Sequence, residues 1–257
     1  MAERQSLKDR LPRGALVPLV AAALWWISSS GGLLSGPMAV TPLQVIQAPF
    51  LDVSGRELWV SLLASAVRVL AGGVVGGLIG LVLGYLAGMY RLAGLGLAPT
   101  IHTARQVALF AWIPLLTAWF GNGESTKLVF TALSTFFPLF LATEQGIRRT
   151  PVDLIEVAHT LSLRRWTRIH QLYLPAALPS IYVGLQIAAL SAWIGTIGAE
   201  YAIGNGRGLG SYIASARDQF RMDIVIAGVF ALAGGGVLLS AVVERITTKL
   251  SPWNRKR

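Results

Sequence analysis

Between Glu57 and Met89 the chain reads ELWVSLLASAVRVLAGGVVGGLIGLVLGYLAGM, with Arg68 as its one interior charge. A helix crosses a bilayer with about 20 mostly apolar residues. A run this long and this apolar excludes most soluble folds and predicts a membrane crossing, entered through a short interfacial stretch. Gly72, Gly76, Gly80, Gly84 and Gly88 recur every four residues, with Gly73 and Gly77 as a second such step. That spacing places small residues on one helix face, where another backbone can approach closely. Helix packing explains it better than a role in a transport path.

Five further apolar segments follow the same logic, at about 14–34, 99–120, 127–145, 175–198 and 223–243. The first can also be read as a signal peptide whose apolar core spans 16–27. The third contains Arg105 and Pro114, and the short loop GNGES after it forces a helical hairpin with the fourth. Charged residues make up 13% of the chain and hydrophobic residues 54%, against about 25% charged in a soluble domain. Cysteine is absent, so disulfides, thiolate zinc sites and thiol catalysis are excluded. The expected fold is an all-α integral membrane protein with about six transmembrane helices. One domain covers 14–249, between a tail at 1–13 and a basic tail at 250–257.

The net charge of +10 fits either a nucleic-acid binder or a membrane protein with basic cytoplasmic loops. Six crossings put both termini on one side. The segments on that side then hold fifteen Arg and Lys residues, and the opposite side holds five: Arg56, Lys127, Arg207, Arg217 and Arg221. This is the positive-inside bias, with both termini cytoplasmic. No basic block is interleaved with aromatics as a nucleic-acid surface requires.

The longest inner loop, 146–174, begins a helix at Thr150-Pro151, where proline suits the first turn. Val152, Leu154, Ile155, Ala158, Leu161 and Leu163 make it more apolar than a solvated loop needs. Periodicity leaves two choices open: a docking surface or a helix lying on the bilayer.

Within this loop, Glu156-Val157-Ala158, three residues, Ser162, nine residues and Leu172-Tyr173-Leu174-Pro175 resemble the EAA loop of binding-protein-dependent ABC transporter permeases. Val157 replaces an alanine of that pattern and Ser162 replaces its glycine. Segments 113–149 and 199–228 are similar to the sulfonate/nitrate/taurine branch, in which proline often occupies the place of Ala108. The resemblance implies a coupling helix built on Glu156, Val157, Ala158, Leu161, Ser162 and Leu163, with Leu174 and Pro175 closing the motif. It implies a permease subunit, not an enzyme, working as a homodimer in the lipid of a bacterial inner membrane. Two cytoplasmic ATPases and an extracytoplasmic solute-binding protein would complete the assembly. ATP and magnesium would sit on the ATPase, and no cofactor on this chain. The residues agree on one point: none of Lys8, Lys127, Lys249 and Lys256 follows a glycine, so a Walker A loop is missing.

The same resemblance implies a small, anionic solute such as a sulfonate, taurine or nitrate. Arg68 and Arg105 suit an anion path, since membrane arginines are costly unless they face water or a partner; the alternative is snorkelling from span ends. Glu200 can pair with Arg207 in the outer loop GNGRGLG, or both can be solvated. Glu156 can pair with Arg164 or Arg165, or with a basic group on the ATPase, or stand solvated near the helix start, where the dipole favours it. The rival function is an ion-gradient-driven transporter or channel without an ATPase, which calls for carboxylates at mid-membrane. A membrane enzyme is a further rival, but His102, His159 and His170 lack metal-ligand spacing, and no catalytic or metal site is expected.

Overall fold

The computed structural model describes residues 16–30, 40–51 and 53–250, and among them every regular element is helical. The tails 1–13 and 251–257 lie outside the described residues. In chain order the helices are α1 (Leu16–Ser30), α2 (Pro42–Leu51), α3 (Val53–Met89), α4 (Arg91–Gln106), α5 (Ile113–Phe120), α6 (Glu124–Arg148), α7 (Val152–Thr160), α8 (Arg165–Arg168), α9 (Leu174–Ile203), α10 (Leu209–Asp218) and α11 (Met222–Leu250). A 3-10 turn, Leu109–Trp112, precedes α5, and a π segment, Ile169–Tyr173, joins α8 to α9. Among the described residues, four stretches are long and apolar enough to cross a membrane: Gly55–Met89, Glu124–Arg148, Arg165–Ile203 and Met222–Lys249. Leu16–Ser29 and Leu109–Phe120 are shorter apolar helices. The all-α, multi-pass expectation therefore holds.

The glycine ladder fixes the arrangement of α3 and α6. A Cβ on Gly72 would meet Leu128 O at 2.9 Å, on Gly80 Phe136 O at 2.7 Å, on Gly84 Phe140 O at 2.6 Å and on Gly88 Glu144 O at 3.1 Å; on Gly76 it would overlap Ala132 O outright. Glycines four apart thus face carbonyls four apart, and both series ascend together. The two helices run in the same direction, backbone against backbone, as small-residue steps permit. Parallel neighbours place Met89 and Glu124 at opposite ends of the pair, so residues 91–120 carry the chain back across. Helix α9 runs the other way: Gly195 abuts Ser134, Gly184 abuts Ala142 and Gly146 abuts Ala177. Helix α11 reverses again, with Trp193 against Gly235 and Gly236 and Gln186 bonded to Thr247 at 3.3 Å.

The returning segment differs from the single span expected at 99–120. Helix α4 stops at Gln106, and Val107 (φ −70°, ψ 127°) and Ala108 (φ −54°, ψ 128°) are extended. No proline breaks it. The extended pair lays the Phe110 ring against Gly198 of α9, where an added Cβ would come within 2.5 Å, and beside Phe130 of α6 at 5.5 Å between centroids. Tertiary packing overrides helical continuity here. Pro114 lies in the first turn of α5, where its missing N–H costs nothing.

Helix α6 is polar as well as central. Thr131, Ser134, Thr135 and Thr143 are buried, yet each hydroxyl donates to the carbonyl four residues earlier at 2.7–3.0 Å. Such back-bonding satisfies hydroxyls inside an apolar bundle. Thr131 also meets Thr196 of α9 at 2.7 Å.

Candidate functional site

Three places in the fold carry the chemistry expected of the chain. The first is at the α3 N-terminal half, where α9 turns into α10. Helix α10 is short and almost wholly buried, and it folds back into the bundle after the loop 204–208. Its first N–H groups lack intrahelical partners, as at any helix start. Glu200 supplies one: its Oε2 accepts from Gly210 N at 3.0 Å. Ser65 relays another, taking Leu209 N at 2.8 Å and donating to Glu200 Oε2 at 2.7 Å. Arg68 then neutralises the carboxylate, Nη1 to Glu200 Oε1 at 2.6 Å. The same guanidinium grips Glu124 with Nε at 2.6 Å and Nη2 at 2.8 Å, and its Nη2 also donates to the Arg207 carbonyl. Lys127, fully buried, reaches Glu124 at 3.5 Å and donates to the Asn205 carbonyl.

This arrangement revises the expected roles. Glu200 is fully buried and pairs with Arg68, not with Arg207, which contributes its backbone oxygen while its side chain is exposed. Arg68 is 7% exposed and ion-paired inside the bundle. Lys127 belongs to the interior rather than to an outer loop. The network's two cations and two anions balance. Ser65, Glu124 and Lys127 escape sequence reasoning: GNGES reads as a solvated loop, and only the fold turns it inward. Gly208 (φ +157°) is required there, because a Cβ would lie 2.5 Å from Glu200 Cδ and 2.7 Å from Arg68 Nη1.

The second place is α7. Leu154, Val157 and Leu161 stand at 48%, 54% and 64% exposure on one face, and Val152, at 65%, lies at the helix start away from that face. Ala158, one turn from Leu154 and Leu161 along the same side, is buried, and Ile155 is half-buried. The expected patch is therefore divided: Ala158 packs inward, while Leu154, Val157 and Leu161 form an outward apolar face and Val152 is exposed at the helix start. The helix ends in a defined cap. Leu163 N bonds Ala158 O at 3.1 Å and Ser162 N bonds His159 O at 2.9 Å, with Ser162 at φ +48°. This pair of bonds is a Schellman cap, which favours glycine at the left-handed position. Ser162 thus occupies a site that does demand positive φ. Glu156 is exposed and, among the described residues, its carboxylate has no partner; Arg165 lies instead over the Tyr90 ring at 5.2 Å. Leu174 and Pro175 open α9 directly after the π segment. Proline brings no N–H to the ladder, and the wider π turn lies immediately before it.

The third place is the opposite end of α6. Buried Glu144 is 3.2 Å from Arg148 Nη2, and His102 Nε2 of α4 lies 2.9 Å from its Oε2 without the alignment of a hydrogen bond. Nearby, a cavity of about 820 Å³ opens between the α4 break, α6 and α9, with Arg105 on its wall. Among the described residues no group of three metal-ligating side chains comes together.

Comparison with known proteins accounts for this set of features. Residues 76–256 match the family model for the binding-protein-dependent transport system inner membrane component. SsuC of Bacillus subtilis, named for aliphatic sulfonate transport, is 33% identical over 94% of this chain and 87% of its own length. The taurine transport system permease protein TauC of Escherichia coli is 30% identical over 96% and 94%. The bicarbonate transport system permease protein CmpB of Synechococcus elongatus is 30% identical over 93% and 89%. The chain belongs to the binding-protein-dependent transport system inner membrane component family, the permease subunits of ABC importers.

Proposed function

We propose that this permease carries a small oxyanion across a bacterial inner membrane as one of two identical copies. Two ATPases would dock on the cytoplasmic side, holding the ATP and magnesium, and a solute-binding protein on the other. Relatives named for sulfonate, taurine and bicarbonate transport share one chemistry, a compact sulfonate or carboxylate group. In this scheme the tails and the loop 146–174 are cytoplasmic, and residues 14–249 form one membrane domain.

The observation that carries the proposal is α7. Its four exposed apolar side chains sit on a capped helix between two ordered segments, which suits a groove on a partner better than free solvent. Glu156, unpaired among the described residues, is available to a basic group there. The ion-gradient alternative is less well supported, because the chain's family is that of binding-protein-dependent transport systems and its relatives are named as transport permeases. ATP-driven closure of the ATPases would move α7 as a rigid piece and swing the spans behind it.

The test is co-purification. Leu161→Asp and Val157→Asp should leave the permease inserted and monodisperse while the ATPase subunit is lost. Retention of stoichiometric ATPase in both variants would overturn the docking assignment.

A further inference from the structure

The buried network around Arg68 balances its own two cations and two anions. The cavity of about 820 Å³ between α4, α6 and α9 has the opposite character. Arg105 and Arg149 both line it, and no Asp or Glu does among the described residues. Neither guanidinium has a hydrogen-bond or ion-pair partner within the described chain, and both are exposed to the cavity side of the fold. Glu144, about one turn before Arg149 on α6, is instead within reach of Arg148 and His102. Gln106 and Gln145 add amide groups to the wall, and Ser180 a hydroxyl. The rest of the lining is mainly apolar, the usual make-up of a small-molecule pocket of this size.

Two unpaired guanidiniums on one largely apolar wall, with no carboxylate among the lining residues, give this cavity a positive potential. We infer that this cavity is a transit site for a small oxyanion, with Arg105 and Arg149 as its cationic walls. The inference rests on the permease reading above and adds the location and polarity of the site. Guanidinium forks match sulfonate, carboxylate and nitrate oxygens geometrically. Arg149 also ends α6 directly before Thr150 and α7, so the site adjoins the segment that leads to the ATPase-facing helix.

The absence of cysteine permits a direct test on the full chain in proteoliposomes. Val183 lines the cavity and is 57% exposed, so Val183→Cys places one thiol there. Its labelling is compared for the anionic 2-sulfonatoethyl methanethiosulfonate and the cationic trimethylammonium analogue, each scaled to its rate with a free thiol. The anionic reagent should win by roughly threefold or more, the effect of a local positive potential. Arg105→Gln with Arg149→Gln should abolish the preference, and the two lysine replacements should keep it, which separates charge from misfolding. Equal or faster cationic labelling of the parent would overturn the site. Uptake by the assembled transporter completes the design. Anion-preferring labelling without uptake of any oxyanion would contradict the proposed substrate class and leave the cavity's polarity standing. Oxyanion uptake unchanged in Arg105→Gln and Arg149→Gln would overturn the transit site and leave the permease reading standing; a fall of about tenfold in each is expected from losing a charged hydrogen-bond donor.

Discussion

Arg68 and Glu200 stand 132 residues apart in the chain and 2.6 Å apart in the fold. Their pairing ties the middle of α3 to the point where α9 gives way to α10. Because Glu200 also accepts the Gly210 N–H of α10, and Ser65 links it to the Leu209 N–H, the ion pair and the helix start form one unit. A buried pair of this kind is weak evidence for stability but strong evidence for specificity of geometry, since breaking one side strands a charge.

The two carboxylates on Arg68 should therefore differ in importance. Glu200 is fully buried, whereas the Glu124 side chain is 57% exposed. Glu200→Ala should cost about 3–5 kcal/mol, the penalty for an uncompensated buried partner. Glu124→Ala should cost less, about 1–3 kcal/mol, because water reaches its site although Lys127 loses its carboxylate. Thermal unfolding in detergent, read by size-exclusion loss, checks the order; equal losses would refute it.

Two glycine-to-alanine changes should have opposite signs. At Gly76 a Cβ would collide with the Ala132 carbonyl, and that backbone cannot yield. A cost of about 1–3 kcal/mol is expected from overpacking. Gly96, inside α4, meets nothing within 4 Å. There alanine should be neutral or stabilising by about 0.5–1 kcal/mol from helix propensity. The same melting assay reads both.

Ser162→Gly should stabilise the end of α7. Serine at φ +48° bears a left-handed penalty of about 1–2 kcal/mol that glycine lacks, partly offset by the greater freedom of glycine when unfolded. Slower amide exchange at Leu161–Leu163 is the expected readout, with Ser162→Val giving the reverse.

Ala158→Glu should behave differently from Leu161→Asp. Ala158 is 4% exposed and packs inward, while Leu161 faces out at 64%. The first change should reduce folded yield, as burying an unpaired charge does. The second should spare yield and reduce ATPase association.

Much of this architecture is legible in the residues alone, because apolar runs and four-residue glycine steps report bilayer crossings and close helix pairs without reference to distant residues. The Schellman position at Ser162 is legible too, since the motif marks it for glycine. Three things are not. The α4 break at Val107–Ala108 has no proline or glycine to announce it, and arises from where Phe110 packs. Glu124 and Lys127 look solvated in GNGESTK, and only the parallel seating of α6 on α3 brings them to Arg68. Arg149 reads as one of several cytoplasmic arginines, and only the cavity sets it apart beside Arg105.

The central claim, an ATP-driven permease, is tested most directly by reconstituting this chain with its ATPase and binding protein in proteoliposomes and following uptake of ethanesulfonate, taurine, nitrate and bicarbonate. The prediction is accumulation of at least one oxyanion that requires ATP, requires the binding protein and persists when ion gradients are collapsed. Uptake that ignores ATP and follows a proton or sodium gradient, with the permease alone, would contradict it.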